Sequence, residues 1–156
     1  MDARLIAVPV ALQRYVDAPP LAIRQRDVAA ALAIATHARV LVFSVESELA
    51  LLPQALTVEQ KIDAYAKGFP AGVDVETRVI GGKASDVIVH AIEDVGADLV
   101  VAGTHSKRST LDVNLGSTAS ALTRLAVPLI LLRPTPDDEE RARKMMVPHE
   151  PTLFAY

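Results

Sequence analysis

Five short runs rich in Val, Ile and Leu, separated by segments of helical length, constrain this chain more than any other feature. Leu5–Val10, Arg39–Val45, Asp98–Gly103 and Pro128–Leu132 are apolar apart from an end residue or a single Ser. Their length and β-branched content fit strands buried on both faces, as in a parallel sheet. The fifth run, Val73–Val79, alternates apolar and polar residues, which suits a strand with one solvated face or one at an edge.

The intervening segments read as helices. Pro19-Pro20 opens one, with Leu21, Val28, Leu32 and Ala35 expected on a common face. Thr57-Val58-Glu59-Gln60 has the form of a capping box, followed by a stripe of Val58, Ile62 and Tyr65. Ser85 is expected to cap a helix carrying Ile88, Ala91, Ile92 and Val95, closed by Gly96. Gly116-Ser117-Thr118 opens a last helix with Ala121, Leu122 and Leu125, ended by Pro128. The alternation β-α-β-α-β-α-β-α-β predicts an α/β fold: one domain with a doubly wound, five-stranded parallel sheet and helices on both faces. In such a sheet ligands bind at the carboxyl ends of the strands, where the winding direction switches. The 25 Ala, against 3 Phe, 3 Tyr and no Trp, fit helices that lie close to the sheet.

Composition removes several functions. Without Cys there is no disulfide framework, thiol nucleophile or thiolate metal site, and four scattered His do not suggest zinc. A net charge of −3 and few aromatics leave no footprint for nucleic acid. No apolar run reaches the ~18 residues of a membrane span, and Met1-Asp2-Ala3-Arg4 does not begin a signal peptide. A cytoplasmic protein is the expectation.

From Pro134 the character changes. Asp137-Asp138-Glu139-Glu140 precedes Arg141, Arg143 and Lys144, then Pro148 and Pro151, and the sequence ends Leu153-Phe154-Ala155-Tyr156. The expected division is a domain over residues 1–133 and a charged, Pro-containing tail over 134–156. The tail reads either as a disordered extension or as a segment that docks its aromatics on a partner subunit.

The chemistry is concentrated between Asp98 and Arg133. A buried strand ends at Gly103, the polar loop Thr104-His105-Ser106-Lys107-Arg108-Ser109-Thr110 follows, and Gly116-Ser117-Thr118 begins a helix. A phosphate cradle is one reading: Gly admits an anion to the backbone, and helix N–H groups, hydroxyls and Lys107 and Arg108 favour negative charge. A long surface loop ending in an N-capping Ser is the other.

The spacing Gly103, two residues, Ser106, nine residues, Gly116-Ser117 resembles the nucleotide-binding motif of the universal stress protein family, Gly-x2-Gly-x9-Gly-Ser/Thr. Residues 98–105 resemble that family's fourth strand and following turn, Val127–Arg133 its fifth strand, Gly82-Lys83-Ala84 its turn before the third helix, and Ile6–Val10 its first strand. The resemblance covers roughly residues 4–133. It implies the strand order 3-2-1-4-5 and an adenine nucleotide, ATP, ADP or AMP, with Mg²⁺ accompanying ATP. It also implies site residues. Pro9, Val10 and Ala11 would line the adenosine end, and Val45, after the second strand, would offer backbone groups to adenine. Ala102 and Gly103 would pass under the ribose and phosphates, and Ser106, Gly116, Ser117 and Thr118 would hold the phosphates. Lys107 and Arg108 are added from charge alone. Two positions depart from the pattern: Ser106 stands for the motif's second Gly, and Ala11 for the Asp that nucleotide-binding members usually carry after the first strand.

Other signals are weaker. Gly81-Gly82-Lys83 lacks the flanking residues of a P-loop, with Thr77 and Ala84 in the decisive places. Ser117 has no nucleophile elbow, and His37, His90 and His149 show no ligand spacing. His105 reads as a phosphate contact or a solvated loop residue. Glu46 and Glu48 read as ligands for Mg²⁺ or a sugar hydroxyl, or as a charged turn. Carboxylates required of a phospho-receiver are replaced by Ala11 and Ile80-Gly81. No general base is placed, so ATP hydrolysis, if any, would be slow.

Strand five is expected at an edge, and an apolar edge must be covered. The expectation is a two-fold homodimer pairing Leu129, Ile130 and Leu131 with their copies, as the resemblance implies, which Lys at Ile130 or Leu131 would disrupt. Three functions are therefore open: a dimeric nucleotide-binding stress or signalling module, acting on an unknown protein partner; a degenerate member that binds no nucleotide and works as a dimeric interaction protein; and an enzyme or carrier of another small anion.

Overall fold

The computed structural model describes residues 4–48, 52–104 and 117–148, with Ser117 described in its backbone only. The element order is β1 (Leu5–Pro9), α1 (Pro20–Thr36), β2 (Arg39–Glu46), α2 (Val58–Lys67), β3 (Val75–Gly81), α3 (Ala84–Val95), β4 (Leu99–Gly103), α4 (Ser117–Leu122), β5 (Leu129–Leu132) and α5 (Pro136–Lys144). The strands form one parallel sheet in the order β3-β2-β1-β4-β5, as expected. The alternating strand and the short apolar β5 occupy the two edges.

Each face of the sheet buries its own helices. Val8, Val10, Val40, Val42 and Val101 pack with α1 and α2, whereas Ala7, Leu41, Phe43, Val100 and Ala102 pack with α3 and α4. Burying a side chain such as Phe43, 1% exposed, contributes roughly 1.5–3 kcal/mol.

Helix α1 shows what the Ala content does. Its buried stripe is Ala22, Gln25, Ala29, Ala30 and Ala33, while Leu21, Val28 and Leu32 are half-buried and Ala35 is exposed. The expected stripe was therefore rotated. The helix lies too near the sheet for large residues beneath it, so Ala fills the contact line, and Ile23 and Ile34 are left exposed.

Local signals fix most helix ends. Thr57 and Gln60 complete the capping box of α2, and Gly96 closes α3 at φ 67°. Helix α3, however, begins at Ala84 with Lys83 at the cap, so Ser85 lies inside it. Helix α4 stops at Leu122, well before Pro128, and Leu125 lies outside it. It is not the last helix. Residues 136–144 form α5, capped by Thr135 and Asp138 and starting with Pro136. Over residues 136–148 the segment is not an unstructured extension; it folds onto its own chain. Phe154 and Tyr156 lie outside the described residues.

Candidate functional site at the sheet's switch point

The direction of winding reverses between β1 and β4. Strand β1 pairs with β2 over five residues, Leu5–Pro9 against Arg39–Phe43, but with β4 over two, Ile6 with Leu99 and Ala7 with Val100. Beyond Ala7 the ladder on that side ends. Pro9 has no N–H to continue it. Its carbonyl lies on the β4 side, like that of Leu5, which accepts the Asp98 N–H at 2.8 Å.

Gln25 of α1 fills this opening. Its Nε2 donates to Pro9 O at 2.8 Å and to Val101 O at 3.4 Å, and the residue is 4% exposed. One amide thus bridges both strands where their own bonding fails. Gly103, at the end of β4, lies under the same turn of α1. A Cβ there would stand 2.7 Å from Leu21 Cδ2 and 3.0 Å from Gln25 Oε1. The lack of a side chain at Gly103 thus serves the close approach of α1, besides any ligand.

The loop from β1 to α1 leaves the switch point and is tied down along its length. Val10 N–H donates to Phe43 O at 2.8 Å, and Ser44 Oγ donates to Val10 O at 3.1 Å. Gln13 clasps Ser47, donating to its carbonyl at 2.8 Å and accepting its N–H at 3.0 Å. From α2, Lys61 donates to Leu12 O at 3.5 Å, to Gln13 O at 3.3 Å and to Gln54 Oε1.

Lys61 is 6% exposed, and no carboxylate is among these partners. Burial lowers its pKa from the ordinary 10.5. The folded state then sheds its proton at lower pH than the unfolded state. The penalty for the buried charge is present in full below the folded value and is relieved as pH rises toward 10.5. Burial raises Tyr65 and Tyr15 instead, which removes stability, but only above the ordinary tyrosine value of 10.0. Urea unfolding from about pH 8 to 10 is therefore expected to show a rise in stability that Lys61→Met removes. An equal rise in both proteins would count against a depressed Lys61.

Of the residues expected at the site, the structure gathers Pro9, Val10, Ala11, Val45, Ala102 and Gly103 at the carboxyl ends of β1, β2 and β4. Val10 is buried and Ala11 exposed. Val45 does not follow β2 but lies within it, opposite Ile80 of β3. Since β2 runs past Phe43, its last residue paired with β1, Val45 belongs to an overhang beside the β1–α1 loop. Ala102 is buried on the α3 and α4 face. Thr118 is half-buried in the first turn of α4, and Ser117 opens that helix. Ser106, Lys107, Arg108 and Gly116, with His105, lie outside the described residues. Thr104 is 3% exposed, and its hydroxyl has no hydrogen-bond partner among the described residues.

Glu46 faces a hollow of about 370 Å³ lined also by Gln13, Leu52, Gln54, Thr57 and Glu59. Among the described residues no three His, Asp or Glu come together as a metal site. Gln13, Gln25 and Lys61 were not expected here. The signal for two of them was present: each is a polar residue on an otherwise apolar helical stripe, Gln25 with Ala22 and Ala29, Lys61 with Val58, Ile62 and Tyr65.

Comparison with known proteins agrees with this architecture. The model of the universal stress protein family matches residues 7–133. No curated protein matches the chain. Among solved structures, a universal stress protein in complex with cAMP is similar at 19% identity and a TM-score of 0.62, covering 84% of this chain and 98% of its own. UspA from Lactobacillus plantarum is similar at 22% identity and 0.58, covering 85% and 100%. The universal stress protein from Archaeoglobus fulgidus in complex with dAMP is similar at 19% and 0.54, covering 84% and 98%. With the family's model spanning most of the chain, this protein belongs to the universal stress protein family.

Proposed function

We propose that the protein binds an adenine nucleotide (ATP, ADP or AMP) at the carboxyl ends of β1, β2 and β4 and acts as a homodimeric stress-response or signalling module. The observation that carries this reading is the arrangement at the switch point. There, the β2 overhang, the tethered β1–α1 loop and Gly103 all lie at the carboxyl end of the sheet. Adenine would meet backbone groups near Val45, and the ribose would sit beside Pro9, Val10 and Ala11. The phosphates would run past Ala102 and Gly103 to Ser106, Lys107, Gly116, Ser117 and Thr118, with Mg²⁺ accompanying ATP. Family members solved with cAMP and dAMP support an adenine ligand. Binding at the motif loop would alter a surface read by a partner protein. The family domain over 1–133 would do this in the cytoplasm. Among the described residues, no helix is long and apolar enough to cross a membrane.

Exposed Ala11 favours a second reading, a dimeric interaction protein without nucleotide, because no carboxylate is available there to accept from the ribose. Calorimetric titration with ATP, ADP, AMP and cyclic AMP separates the two. Saturable binding below about 1 mM, a common range for metabolite affinities, is expected, and Gly116→Asp is expected to abolish it by placing a carboxylate among the phosphates. No heat at that concentration sinks the nucleotide reading.

A further inference from the structure

The family match stops at Arg133, yet the described chain continues for fifteen residues, 134–148, that return to the site. Asp138 connects this segment to the domain. Its Oδ2 accepts the Thr135 N–H at 2.9 Å, closing the cap of α5, and also accepts from Arg24 Nη2 on α1. Arg24 Nη2 donates to Arg133 O at 2.8 Å as well, so the start of the segment is held to α1 at two points. Past α5 the chain runs antiparallel to the β1–α1 loop. Val16 N–H donates to Met145 O and Val147 N–H to Arg14 O, both at 2.8 Å, with Tyr15 opposite Met146. Val147 is 3% exposed, and Leu52 N–H donates to Pro148 O at 3.0 Å.

All these contacts fall on α1, on the loop that leads from Ala11 to α1, or on the segment before α2. We propose that residues 134–148 are an intramolecular strap, latched by Arg24 and Asp138, that holds the β1–α1 loop in its ligand-ready conformation, so that detaching it weakens ligand binding. The effect on binding rests on the nucleotide reading above; the strap itself does not. A loop freed of the strap has to be ordered again when ligand binds, and that entropy is drawn from affinity. Holding the loop in place before binding removes the cost. The attachment consists of an ion pair, a short ladder and one apolar anchor. It is of the size that opens locally while the sheet stays folded.

The chain has no cysteine, so an introduced pair is unambiguous. Tyr15 and Met146 form a non-hydrogen-bonded antiparallel pair, whose Cα atoms stand about 4.5 Å apart, within the range a disulfide spans. In the full chain carrying Tyr15→Cys and Met146→Cys, oxidation is expected to form the bond. It should slow amide exchange at Val16, Leu52 and Val147 about tenfold. Asp138→Ala, which removes both the cap and the latch, is expected to speed exchange at those amides about tenfold and leave Val42 and Val100 in the central strands unchanged. The Kd for AMP is expected to be at least about fivefold weaker in Asp138→Ala than in the oxidised pair. Thiols that stay free under oxidation overturn the proposal. So does unchanged exchange in Asp138→Ala, exchange that rises equally at Val42 and Val100, or AMP affinities equal across the oxidised, reduced and Ala forms. If the unmodified protein binds ATP or ADP but not AMP, that nucleotide replaces AMP in the comparison; if it binds none of them, the nucleotide reading fails, and amide exchange alone decides the strap.

Discussion

Replacing Gln25 with Leu is expected to lower the unfolding free energy by about 2–3 kcal/mol, a loss out of proportion to a change that keeps the volume and adds apolar surface. The reason lies in the sheet. Pro9 cannot donate, so β1 and β4 part after Ala7 and Val100, and the carbonyls of Pro9 and Val101 are left facing an interior position. Gln25 Nε2 is the donor they share. Leu offers none, and a buried carbonyl deprived of its partner costs roughly 1–3 kcal/mol. The 2.8 Å bond to Pro9 carries more of this than the 3.4 Å bond to Val101. Urea unfolding of the two proteins measures the difference. A loss under about 0.5 kcal/mol, the usual range for surface substitutions, would show that the two carbonyls are satisfied without the amide.

The same helix shows which parts of this protein are legible in the sequence. The short β-branched runs and the helical lengths between them lead directly to a parallel sheet, because a strand buried on both faces needs a continuous apolar run and a crossover. The strand order came with the family likeness of the loop after β4. The rotation of α1 was not legible. Periodicity assigns the largest residues to the core, but at a close helix-on-sheet contact Ala wins the central line and Leu and Val move to its flanks. Ser85 failed as a cap for a similar reason. Lys83 already holds the extended conformation at φ −91° and ψ 125°, so the helix starts two residues earlier than the side-chain preference suggests. The segment after Arg133 looked unstructured because its composition is charged. Its order comes from a capping box, an ion pair to Arg24 and a single buried Val147, signals spread over distant parts of the chain. At the site, Gln25 and Lys61 were visible as polar residues on apolar stripes, but nothing local says which carbonyls they meet.

A Leu131→Pro protein is expected to fold and to run as a monomer on a sizing column, while Ile130→Pro is expected to lose stability outright. The contrast follows from the alternation of backbone groups along β5. Val100 N–H donates to Pro128 O at 2.9 Å and Thr104 N–H to Leu132 O at 2.9 Å. The even-numbered residues of β5 therefore turn their backbone groups toward β4, and Leu129 and Leu131 turn theirs to the open edge. Proline at 130 removes a hydrogen bond within the sheet and leaves a buried carbonyl of β4 without its donor, which costs roughly 1–3 kcal/mol. Proline at 131 removes only an outward N–H, which an edge strand tolerates. If two copies pair through β5, as we propose, that N–H is one the partner needs. Lys at Ile130 is a blunter probe, because Ile130 also packs against the core under α1, and a charge there would weaken the monomer as well as the pair. A folded Leu131→Pro protein that still elutes with the unmodified dimer would move the interface away from β5. The half-buried Leu129–Leu132 edge would then need some other cover.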